Sequence, residues 1–158
     1  MKGQLRVTGT RHSFSEIADT DGTQLNLEYL RKIEVDKEAQ TVTFGAGVTY
    51  TMLLEALVKE QMAIENLPSL PHINVVGSVV TGTHGGGIGN QALANYVTQM
   101  RMIDPNGEVK VVNEDTPDFK RYIHSFGLMG VIVEMTMKIE PEYAVIKCIY
   151  EDLSWDFL

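Results

Sequence analysis

The sequence predicts an α+β fold with a mixed or antiparallel sheet and flanking helices. Three observations carry this. Strand candidates come in hairpin-like pairs, only two segments show clear helical periodicity, and neither glycine-rich segment has the spacing of a parallel-sheet dinucleotide site.

In chain order, Leu5-Arg6-Val7-Thr8 is a short strand that ends at Gly9 and runs into a polar loop. A turn-rich stretch, Asp19-Thr20-Asp21-Gly22, follows. Residues 32–36 and 41–44 are the first hairpin. Residues 51–62 form the first helix, with Leu53, Leu54, Leu57 and Val58 on its apolar face and a Glu55–Lys59 pair on the other. Residues 64–90 carry two prolines, no charge after Glu65 and many glycines from Gly77 onward, which predicts backbone packed closely against something. Residues 97–103 and 108–112 form the second hairpin, with Pro105 second and Gly107 fourth in a type I turn. Thr116-Pro117-Asp118 starts a second helix, with Thr116 as the cap. Phe119, Tyr122, Ile123 and Phe126 line it, and Gly127 stops it. Val131, Val133, Met135, Met137 and Ile139 alternate with polar residues, predicting a half-buried strand ended by Pro141.

The chain has 158 residues, 44% hydrophobic and 22% charged, as in an ordinary globular protein. Its net charge of −8 disfavours nucleic acid and anionic membranes as partners, but backbone N–H groups can still bind a small phosphate ligand. No apolar run reaches a membrane span or a signal-peptide core, so the expectation is a soluble, cytoplasmic protein. The single cysteine, Cys148, lies in an apolar stretch and reads as a buried structural thiol.

The glycine-rich segment Gly82-Thr83-His84-Gly85-Gly86-Gly87-Ile88-Gly89 lacks the Lys-Ser/Thr of a Walker A loop. Read as a dinucleotide fingerprint, it fails at Asn90, and Gly45-Ala46-Gly47 fails at Tyr50. Gly9-Thr10-Arg11-His12-Ser13-Phe14 is different: directly after a strand it offers backbone donors, two hydroxyls, a fixed positive charge and an imidazole, which suit a diphosphate. The same six residues also suit a turn whose polar side chains satisfy their own backbone. A zinc site from His72 and His84 lacks both the spacing and the acidic or thiol partners, so no metal is expected.

Gly9-Thr10-Arg11-His12-Ser13-Phe14 resembles the first phosphate loop of the vanillyl-alcohol-oxidase-type (PCMH-type) flavoproteins, nearest to alditol oxidases and then aldonolactone oxidases. The resemblance continues, in order, through Val42-Thr43-Phe44-Gly45-Ala46-Gly47, Asn66-Leu67-Pro68-Ser69-Leu70-Pro71-His72, Thr81-Gly82-Thr83-His84-Gly85 and Gly127-Leu128-Met129-Gly130-Val131-Ile132. It implies a PCMH-type FAD-binding domain over residues 1–141, without its first strand-helix unit, and the start of a truncated substrate domain over 142–158. FAD is then the implied cofactor, bonded covalently through His12 to its 8α-methyl carbon. Gly9, Thr10, Arg11, Ser13 and Phe14 fall in the implied phosphate loop; Ser69, Asn74, Gly77, Thr81, Thr83, His84 and Gly85 line flavin and diphosphate, and Ile132 contacts the cofactor through its backbone. Asn74 stands where alditol oxidases carry serine, and Pro68 where relatives carry a small residue. His72 and His124 read as structural and solvated residues.

The implied function is oxidation of a polyol or sugar-lactone CH–OH group, with hydride passing to flavin N5 and dioxygen as acceptor. No catalytic residue is assigned to this portion, and the isolated chain is expected to be inactive and to self-associate through uncovered apolar surface. Two rivals stand beside this reading. One is a non-catalytic domain that keeps the fold; the other is a flavin reductase of the cell-wall precursor type, which would lack the His12 motif.

Overall fold

The computed structural model describes residues 4–152, 154 and 155. Met1, Lys2 and Gly3 lie outside the described residues, as do Leu153, Asp156, Phe157 and Leu158 of the stretch 142–158 read as the start of a substrate domain.

A five-stranded antiparallel sheet forms the body, its strands in the spatial order Ile33–Asp36, Thr41–Gly45, Val131–Lys138, Val97–Ile103 and Val109–Asn113. β3 (Ile33–Asp36) and β4 (Thr41–Gly45) make one hairpin; β6 (Val97–Ile103) and β7 (Val109–Asn113) make the other. β8 (Val131–Lys138) lies between the two hairpins and joins them, so the fold is α+β as the pairing of strands predicts. Met135 pairs with Phe44 on one side and Met100 on the other, and all three are buried.

β8 departs from simple alternation. Opposite Arg101 and Met102 stand Glu134 and Ile132, so Val133 is an extra residue in a β-bulge. The bulge changes the phase: Ile132 is buried together with Met135, Met137 and Ile139, while the expected inward residues Val131 and Val133 are half-buried. The Val133 carbonyl is engaged instead by the Ala46 N–H at 3.0 Å.

α1 (Tyr50–Lys59) is shorter than its periodicity predicts. Gln61 adopts a left-handed φ of 56°, and the chain passes at once into β5 (Met62–Ala63), which pairs with β9 (Glu140–Pro141). The helix buries Tyr50, Leu53 and Leu57, whereas Val58 faces solvent. α2 (Val75–Val80) is not predicted by sequence, since four valines and a glycine favour helix poorly. Burial decides its conformation: all four valines are in the core, and Asn74 caps it through Gly77 N–H.

A second departure lies at α3 (Phe119–Ile123). Thr116 does not cap it with its side chain; the hydroxyl accepts from Asn113 N–H at 3.0 Å, and Asp118 occupies the cap position with a left-handed φ. The helix therefore ends at Ile123, and Phe126 and Gly127 form a separate turn with positive φ, leaving Phe126 exposed.

β1 (Leu5–Thr8) pairs in parallel with β2 (Thr23–Asn26), a polar strand without a sequence signal of its own. Cys148 is exposed, contrary to the buried thiol expected: Val145, Ile146 and Ile149 around it also face solvent, so the apolar stretch builds no core among the described residues. No helix of the described residues is long and apolar enough to cross a membrane.

Candidate functional site

A cleft of about 760 Å³ lies where the β1–β2 pair meets α2 and the ends of β6 and β8. That volume is within the ~300–1,000 Å³ of cofactor and small-molecule sites. β1 and the Gly9-Thr10 turn form one wall, Val76, Gly77 and Val80 another, and Val131 and Ile132 close it. Two glycines fix its shape. A Cβ on Gly47 would run into the carbonyl oxygen of Leu27, so only glycine lets the strap of residues 27–30 cross so near β4; Gly47 N–H also donates to Leu30 O at 2.9 Å. Gly130 has φ +149°, and its Cβ would stand 2.5 Å from the Ile103 carbonyl oxygen.

Of the residues singled out from sequence, the structure brings Gly9, Thr10, Asn74, Gly77 and Ile132 to this one cleft, from three distant stretches of chain. Asn74 holds them in place. Its N–H donates to Thr10 Oγ1 at 3.1 Å; its Nδ2 donates to Ala46 O at 2.7 Å and Val48 O at 3.2 Å; its Oδ1 accepts from Gly77 N–H at 2.8 Å. The amide is thus engaged with the protein itself, a tether that a serine is too short to reproduce.

The remaining candidates are not on the cleft wall. Arg11 takes a left-handed φ of 60° and turns the loop outward, so His12 and Phe14 are exposed. Ser13 Oγ lies 3.2 Å from Ser15 Oγ, and Ser69 is exposed. Thr81 Oγ1 donates back to Gly77 O at 2.9 Å, and Thr83 N–H donates to Ser78 O at 3.1 Å. His84 Nδ1 lies 3.4 Å from Gly85 O, and a Cβ on Gly85 would meet nothing within 4 Å. The segment 64–90 thus divides: Ile64, Val75, Val76, Ser78, Val79 and Val80 are buried, whereas a Cβ on Gly82, Gly85, Gly86 or Gly89 would meet nothing within 4 Å.

Four residues that the sequence reading missed complete the picture. Arg6, Glu28, Arg31 and Asp104 line the cleft. Arg6 Nε is buried there without a hydrogen-bond partner, an arrangement that an anionic ligand would satisfy. The available signal was a cation in the middle of the strand that leads into the loop. His72, read as structural, places Nε2 2.9 Å from His12 Nε2, with the rings edge to face at 4.6 Å. The cleft therefore combines an unpartnered guanidinium N–H, the Thr10 hydroxyl, two glycine backbones and apolar side chains, a donor set that fits a diphosphate bearing flat ring systems.

Asp104 is already compensated. The Lys110 ammonium at 2.7 Å, then the N–H groups of Glu108 and Asn106, hold its carboxyl at about 2, below the ordinary 3.8. A folded value below the unfolded one stabilises above pH ~4 and is lost as pH falls through about 2. Asp104→Ala is thus expected to lower Tm at neutral pH, with the gap to the native chain closing between pH 4 and 2. A gap that stays constant over that range would contradict the assignment.

The profile of the family described as "FAD binding domain" matches residues 2–113. The chain is 37% identical over 145 residues to an alditol oxidase from a Streptomyces species, covering 90% of this chain and 35% of that protein. It is 32% identical to a putative D-arabinono-1,4-lactone oxidase from Neurospora crassa, covering 90% of this chain and 26% of that protein, and 31% identical to L-gulonolactone oxidase from Mus musculus (91% and 33%). The chain thus spans about a third or less of these curated relatives. Among solved structures, a variant of BBE-like 1 from Physcomitrella patens superposes with a TM-score of 0.78 at 20% identity, over 88% of this chain and 31% of that one. This last likeness shows the fold alone.

Proposed function

The chain belongs to the FAD binding domain family, and from that premise we propose that it is the cofactor-binding portion of an oxidoreductase acting on a CH–OH group of a polyol or sugar lactone. The convergence of Gly9, Thr10, Gly77 and Ile132 on one cleft is the observation that carries the reading. Arg6 would bind the diphosphate with a charge-assisted bond, and Thr10 and the Gly9 and Gly77 backbone would contact its oxygens. Val76, Val80 and Ile132 would cover apolar ring surface. His12, on the same loop two residues beyond Thr10, would anchor the cofactor covalently at its 8α carbon. Bound there, FAD supplies the hydride acceptor and the route of electrons to dioxygen. The chain's own part is to hold the ring system, exclude water from the cleft and fix the attachment.

The substrate class rests on the names of the alditol oxidase and the two lactone oxidases and belongs to the whole protein. Two measurements test the proposal. Titration should give one equivalent of FAD bound, riboflavin binding far more weakly, and Arg6→Ala reducing FAD affinity about 10–100-fold, the effect of one hydrogen bond to a charged group. Equal affinity for riboflavin would contradict the diphosphate role. A chimera carrying this chain in place of the matching portion of the Streptomyces alditol oxidase should release peroxide with xylitol. A flavin-loaded chimera silent on polyols and lactones would contradict the substrate class.

A further inference from the structure

We propose that His72 is a positioning residue for His12: it accepts the Nε2 proton of His12 and so leaves His12 Nδ1 as the free nucleophilic nitrogen. This rests on the covalent reading above. The observation is the 2.9 Å approach of the two Nε2 atoms, with the rings edge to face at an interplanar angle of 62°. At that distance one proton lies between the rings, because neutral imidazole carries a single N–H and two lone pairs cannot face each other so closely. Two arrangements exist. If His72 donated, His12 would carry its proton on Nδ1, and its only lone pair would be engaged. If His12 donates, its Nδ1 lone pair is free, and no hydrogen bond of the described residues engages that atom. Only the second arrangement leaves a nucleophile.

The same contact serves the bond-forming step. A bond forms between His12 Nδ1 and the 8α carbon as a C–H bond at that carbon breaks. An imidazole alkylated on Nδ1 is cationic until its Nε2 proton leaves, and His72 is the acceptor already on that proton. The two protons released, with the two electrons from the C–H bond, are taken up by dioxygen as hydrogen peroxide. His72 reaches this position because residues 71–74 are pinned from both sides. Pro71 O accepts from Thr51 N–H at 2.7 Å and from Thr51 Oγ1 at 3.0 Å, while Asn74 N–H donates to Thr10 Oγ1 at 3.1 Å, tying the segment to the loop that bears His12.

The test uses the full chain with added FAD. Intact-mass spectrometry follows the adduct over time in the native protein, His12→Ala, His72→Ala and His72→Gln, and FAD affinity is measured on each. His72→Ala should attach FAD about 10–100-fold more slowly, the usual effect of losing a positioned base, with FAD affinity unchanged. His72→Gln, whose amide oxygen can accept, should recover much of the rate, which a purely structural role would not produce. Separately, ¹⁵N NMR of the apoprotein should show a through-bond coupling between the two Nε2 atoms with the proton on His12. Attachment at the native rate in His72→Ala, or absence of that coupling, overturns the proposal. If the coupling is present while the native protein forms no adduct, the covalent reading falls and the hold of His72 on His12 stands.

Discussion

His12→Ala is expected to abolish covalent attachment of FAD altogether while leaving the fold intact. The side chain is exposed on a loop, and its one hydrogen bond among the described residues is to His72, so its removal should change stability by no more than ~0.5 kcal/mol. Attachment, by contrast, has no substitute: a methyl group offers no lone pair. Intact-mass spectrometry after incubation with FAD should show the native chain with the cofactor's mass added and the variant without it. FAD should still bind the variant reversibly, because the cleft wall contributed by Arg6, Thr10 and Gly77 is untouched. An adduct of the same yield in His12→Ala would move the attachment to another side chain.

Gly130→Ala should have the largest effect on the fold. Its φ of +149° is a region that L side chains rarely adopt, at a cost on the order of 1–3 kcal/mol. The added Cβ would also stand 2.5 Å from Ile103 O and 2.9 Å from Met102 Cε, and backbone cannot yield as a side chain can. Together these place the loss at ~3–5 kcal/mol, near the upper end for point substitutions. Because Gly130 lies on the cleft just before β8, FAD affinity should fall with it. Gly85→Val is the contrasting control: its Cβ meets nothing within 4 Å, so melting should change little. A Tm for Gly130→Ala within a degree or two of the native value would show that the β6–β8 contact is looser than described.

The body of the fold was legible because its signals are local. Both hairpins, the Pro105–Gly107 turn and the β8 strand follow from period-two patterning and turn chemistry. What escaped depends on partners distant in sequence. Alternation alone put Val131 and Val133 inward; the bulge opposite Arg101 and Met102, set by pairing with β6, reversed that phase. α2 folds as a helix against its own propensity, since burial of four valines outweighs the ~0.5 kcal/mol per residue that separates valine from good helix formers. β2 is a strand only because β1 lies beside it. Cys148 was misread because an apolar stretch was taken for a core.

The site divides the same way. The loop from Gly9 to Phe14 was recognisable as a string, and so was its kinship to flavoprotein loops. Arg6, Glu28, Arg31 and Asp104 were not, because nothing in their spacing says that β1, the 27–30 strap and the β6–β7 turn share a cleft. His72 was set aside for the same reason: sixty residues separate it from His12. Asn74 was noticed as a departure from serine, but its role as a four-bond tether needed the positions of Thr10, Ala46, Val48 and Gly77.

The decisive measurement is a crystal structure of the chain loaded with FAD. It should show the diphosphate against Arg6 and Thr10, apolar ring surface against Val76, Val80 and Ile132, and continuous density from His12 to the 8α carbon. FAD bound elsewhere, with Arg6 Nε still unpartnered and the cleft filled only by solvent, would contradict the assignment of the cleft.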